Sequence, residues 1–133
     1  MMKNLLLYKI PALLWAAFIF LLLTVPSSSL PTVHIVDIDK LAHAGVFFIQ
    51  AFLLYRAFEF PKPIHLIGSI KPAYSASIIT VIYATMSEVY QFFIPDRTPE
   101  ILDALANSFG VILFLGMLFI WNRRMKKRDQ TSA

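Results

Sequence analysis

Apolar residues fill four stretches of this chain, and the polar positions between and within them are few. The stretches run from about Leu5 to Val25, Ile38 to Phe58, Ala73 to Phe93 and Pro99 to Trp121. Each is close to the 20 or so residues a helix needs to cross a bilayer. The runs are continuous, without the strict alternation of a barrel strand, and a helix satisfies its own backbone in lipid. The pattern therefore predicts an all-α, polytopic membrane protein with four transmembrane helices. Pro26, Pro31, Pro61, Pro63, Pro72 and Pro95 fall between the stretches, where a missing amide hydrogen costs little. Thr98-Pro99-Glu100 reads as a helix start: a capping hydroxyl, proline in the first turn, and an acid at the positive end of the dipole.

The polar residues inside the stretches collect near one edge of three of them. Asp39, Lys40 and His43 open the second. Glu88 and Gln91 close the third. Arg97 precedes the fourth, which opens with Asp103 and Asn107. A charged side chain at the bilayer centre costs about 2.5–3.5 kcal/mol on insertion scales, so such residues mark candidate functional sites. Asp39 and His43 are four apart, as are Asp103 and Asn107, and each pair shares a helix face. Glu88 lies roughly 8–10 Å inside the end of its helix. Gly110 continues the Asp103–Asn107 face and allows another backbone to come close. Gln50 extends the His43 stripe inward and reads as packing. His34 and His65 fall in connections and suggest no specific role.

Composition agrees with the hydropathy pattern. The 133 residues are 58% hydrophobic, and the mean hydropathy is +0.67. The length suits one domain over 1–133, with the motif-bearing region at about 37–118 and a basic tail at 122–133. The net charge of +4 does not point to nucleic acid, because five of the twelve basic residues sit in that tail, directly after an apolar stretch. Ten of the twelve fall on one side of the expected membrane, leaving Lys40 and Arg97 on the other. The positive-inside rule then puts both termini in the cytoplasm and the polar cluster at the outer leaflet. Lys3, Lys9 and the apolar run before Ser27–Ser29 imitate a signal peptide, but Pro26 at the exit and the lack of an Ala-x-Ala site favour an uncleaved first helix. With no cysteine, thiolate chemistry and disulfides are excluded.

Three chemistries fit the cluster. Lys40, Arg97 and the helix starts suit an anion such as a phosphate. His43, Glu88 and Asp103 form a candidate acid/base set, with Asp39, Lys40, Gln91, Arg97 and Asn107 as candidate ligand contacts. Asp39, His43, Glu88 and Asp103 can hold a divalent cation, but no spacing matches a recognised metal motif, so neither metal nor cofactor is expected. The bland alternatives are an Asp39 cap, His43 as glue between helices, and Glu88 paired with Lys40 or Arg97. A proton or ion pathway ranks lowest, because the inner halves of the stretches carry few ionisable groups.

Asp39-Lys40-Leu41-Ala42-His43, then Ser87-Glu88-Val89-Tyr90-Gln91-Phe92, then Arg97, and finally Asp103-Ala104-Leu105-Ala106-Asn107 with Gly110 resemble the VanZ-like family of small bacterial membrane proteins. The likeness covers about Asp37 to Leu118. Many relatives have a glycine just before the arginine where this chain has Asp96. The resemblance implies a four-helix protein of the bacterial cytoplasmic membrane; the family is named for a member associated with reduced susceptibility to teicoplanin. It implies no firm reaction, since family does not fix function. The leading expectation is a protein that binds or acts on an anionic envelope lipid or other phosphate-bearing ligand at the outer leaflet, with membrane lipids as partners. The alternative is a non-enzymatic accessory subunit held in register by its polar cluster.

Overall fold

The computed structural model describes residues 2–26, 36–60, 62, 69–95, 97 and 99–131. These form four helices: α1 (Met2–Thr24), α2 (Val36–Glu59), α3 (Ile70–Gln91) and α4 (Ile101–Thr131). No strand occurs among the described residues. His34, His65, Asp96 and Thr98 lie outside them, so the expected Thr98 cap has no structural account. Instead the Glu100 carbonyl accepts from the Asp103 and Ala104 amides and opens α4.

Two boundaries differ from the sequence expectation. Pro72 lies in the first turn of α3, not in a connection, and a first-turn residue needs no amide hydrogen. The basic tail continues α4 past Trp121 to Thr131. Arg, Lys and Met are strong helix formers, and no glycine or proline interrupts them. Pro11 sits within α1, where it removes one intrahelical bond.

Three segments are long and apolar enough to cross a membrane: Leu6–Thr24, Ile38–Glu59 and Ile101–Met125. In α3 the average is lowered by the side it buries. Its buried residues are Ala73, Ala76, Ser77, Thr80, Ala84, Ser87, Glu88 and Gln91, all small or polar. Its exposed residues include Ile78, Ile79, Ile82, Met86 and Val89. The helix turns its large apolar side chains outward and small or polar ones inward, the reverse of a helix on a water-soluble core.

Helix α2 packs against all three others, most extensively against α4. Ala51 and Tyr55 of α2 form one apolar cluster with Ala73 and Ala76 of α3 and Val111, Phe114 and Leu118 of α4. Ile19 and Leu23 of α1 meet Phe47 and Ala84 in a second. Hydrogen bonds tie α1 down: Trp15 Nε1 donates to the Val46 carbonyl at 3.0 Å, and the Tyr83 hydroxyl donates to the Ala16 carbonyl at 2.7 Å. A Cβ on Gly110 would overlap the Ala44 carbonyl, so the α2 and α4 backbones touch there. That contact lies one residue beyond His43 and three beyond Asn107, and it fixes how closely their side chains approach.

Candidate functional site

The ends of α1 and α3 and the starts of α2 and α4 share one end of the bundle, and the polar residues gather there. His43 Nδ1 lies 2.9 Å from Asn107 Oδ1. Asn107 Nδ2 donates to Glu88 Oε1, also at 2.9 Å. With its NH2 turned to Glu88, the amide presents its oxygen to His43. That oxygen in turn requires the proton on Nδ1, which leaves Nε2 with a free lone pair in the neutral imidazole. Nε2 faces Asp39 Oδ1 at 3.9 Å and Asp103 Oδ2 at 3.8 Å, too far for direct hydrogen bonds.

The other oxygens of these two carboxylates hold Lys40. Its ammonium contacts Asp39 Oδ2 at 3.1 Å, Glu100 Oε2 at 2.8 Å and Asp103 Oδ1. Asp103 is buried, whereas Asp39 and Glu100 are open to solvent. Three carboxylates around one lysine leave this mouth with excess negative charge. Asp39, His43 and Asp103 each offer a ligand atom within 4.8 Å of the others, a set able to hold a divalent cation.

Asp39, Lys40, His43, Glu88, Asp103 and Asn107 are thus brought into one network. Gln91 lies one turn beyond Glu88, is buried, and has no partner for its amide nitrogen among the described residues. Arg97 is engaged elsewhere: its guanidinium donates to the Val25 carbonyl at 3.2 and 3.3 Å and to Leu22 at 3.4 Å, closing the carbonyl end of α1. Glu100 joins the network although the sequence marked it only as a helix-start acid. Its spacing gave the signal, since it lies three residues before Asp103 on the same face.

Beside the network a groove of about 750 Å³ runs between α2 and α4. Lys40 stands at one end. The walls are Leu41, Ala44, Gly45 and Phe48 on one side and Leu105, Ala106, Phe109 and Leu113 on the other. Its volume is in the range of small-molecule sites, but it opens sideways instead of enclosing a ligand.

The VanZ/LLP1 family matches residues 7–122, which reaches into all four helices and takes in every member of the network. The chain belongs to the VanZ/LLP1 family. The match begins well before Asp37, so α1 is part of the family's shared unit as well as the motif-bearing helices. No curated protein and no solved structure matches the chain. It is accordingly a VanZ-like membrane protein whose helices bring its motif residues together at one end.

Proposed function

We propose that this VanZ-like protein binds a phosphate-bearing envelope lipid, with the head group at the His43–Asp103 network and an acyl chain in the α2–α4 groove. The observation that carries the reading is the groove itself: an apolar trough that faces outward and ends at a charged cluster has the polarity of a lipid. The excess of carboxylates around Lys40 favours a phosphate that arrives with a divalent counter-ion, which Asp39, His43 and Asp103 are placed to share. In the neutral imidazole, His43 Nε2 is the group best placed to accept a proton from a bound head group.

This reading places all four helices across the bacterial cytoplasmic membrane with both termini inside. The apolar outer face of α3 supports its crossing. Arg56, Lys62, Lys71 and the basic end of α4 lie away from the His43 network, and the positive-inside rule makes that end cytoplasmic.

Gly45 is exposed in the groove, and a Cβ there would meet nothing within 4 Å. Gly45→Trp therefore fills the trough without disturbing the bundle. Mass spectrometry of lipids retained by the purified protein should show a phospholipid in the wild type that Gly45→Trp lacks. Identical lipid content in the two proteins would contradict the proposal.

The closed Glu88–Asn107–His43 chain favours a second reading, in which the network is interhelical glue in an accessory subunit. Under it, neutralising network residues lowers stability while lipid content stays unchanged.

A further inference from the structure

The bundle interior holds polar groups for which the lipid reading has no use. On α3, Ser77, Thr80, Glu88 and Gln91 fall within about 80° of arc and span roughly 21 Å along the axis. All four are buried. Helix α2 contributes Gln50 (5% exposed), the fully buried Tyr55 and Glu59 (2% exposed). Among the described residues, no hydrogen-bond partner reaches Gln50 Oε1, Glu59 Oε1, Ser77 Oγ, Thr80 Oγ1, Glu88 Oε2 or Gln91 Nε2.

Packing sets these groups in order. Phe47 meets Ala84, and Ala51 and Tyr55 meet Ala73 and Ala76. Gln50 therefore stands level with Thr80, and Tyr55 with the turn carrying Ser77. Glu59, one turn further along α2, stands beside the start of α3. It lines a groove with Lys62, Ser69 and Lys71 that opens to solvent, and its Oε2 lies 3.3 Å from the largely exposed Lys62 Nζ. At the other end Glu88 joins Asn107 and His43 beneath the exposed Asp39.

Each buried polar group without a partner costs about 1–3 kcal/mol, and native interiors contain few. Polar voids satisfy such groups with ordered water. We propose that the seam between α2 and α3 holds a file of water and conducts protons between Glu59 and the Glu88–His43 end. A proton taken up by the Glu59 carboxylate passes along water and the hydroxyls of Tyr55, Ser77 and Thr80. Each relay group releases one proton as it receives one, and Glu88 takes the proton on Oε2 and gives it up to water at the mouth, while the Asn107 amide orients Glu88 without relaying. Gln50 and Gln91 orient water without relaying. The sequence ranked a proton pathway lowest for want of ionisable groups in the inner halves, but the structure places Glu59 inside the bundle.

The test is proton entry into vesicles that hold the full chain and a trapped pH-sensitive dye, driven by a potassium diffusion potential. Wild-type protein should acidify the lumen faster than in protein-free vesicles. Thr80→Val, which keeps the side-chain shape, and Glu59→Gln should each return the rate to the protein-free level, while Ile79→Val on the outer face should not. Wild-type vesicles no faster than protein-free ones would overturn the proposal whatever the variants do. So would wild-type rates in both Thr80→Val and Glu59→Gln, with their helical content intact by circular dichroism.

Discussion

Asn107 is the residue on which the network turns. It is fully buried and links an imidazole on α2 to a carboxylate on α3. Its amide needs one strong acceptor and one strong donor, and this demand fixes the His43 tautomer. Asn107→Leu removes both bonds and leaves Glu88 without a partner on either oxygen. We expect a loss of about 1–3 kcal/mol in unfolding free energy, read by denaturant titration in detergent micelles. Unchanged stability would mean that the two bonds add nothing to the fold. The spacing of Asp39 with His43, and of Asp103 with Asn107, was enough to put these residues on shared faces. It could not show that Lys40 is surrounded by Asp39, Glu100 and Asp103, or that Arg97 turns to the α1 carbonyls, because both depend on how helices meet. A lysine and an arginine therefore read alike as anion contacts in sequence, although one is embedded in carboxylates and the other closes a helix end.

Among the elements, α3 departs furthest from what hydropathy detects. Its large apolar residues point outward and Ser77, Thr80, Ser87 and Glu88 point inward, so the average over all faces hides a membrane-like surface. The faces could be read from periodicity: Ser77, Thr80, Ala84, Glu88 and Gln91 follow a helical stripe. Glu59 was harder to read, because an acid at the end of an apolar run has the pattern of an interfacial residue, and only packing against α3 buries it. The α2–α4 pair depends on one small residue. Gly110→Ala would drive a methyl group into the Ala44 carbonyl, which is backbone and cannot swing aside. We expect a cost of about 1–3 kcal/mol, the usual penalty of overpacking, and a lowered melting temperature in detergent. Gly116→Ala, on the same helix where a Cβ meets nothing within 4 Å, should leave the melting temperature near wild type. Equal effects at the two glycines would contradict the close approach of α2 and α4.

At the scale of the whole molecule, the order of helices followed from apolar run length, and antiparallel succession then put the motif residues at one end. An outward-facing network requires α3 to cross the membrane, because only then do the starts of α2 and α4 share a surface opposite the basic residues. The most direct measurement uses the absence of cysteine from the chain, which lets a single introduced cysteine report alone. Glu100→Cys, Lys62→Cys and Arg128→Cys place exposed thiols near the polar network, after α2 and near the end of α4. With a membrane-impermeant maleimide on intact cells, Glu100→Cys should label at once, while Lys62→Cys and Arg128→Cys should label only after permeabilisation. Labelling of Lys62→Cys and Glu100→Cys from the same side would show that α3 does not cross, and would contradict an outward-facing network.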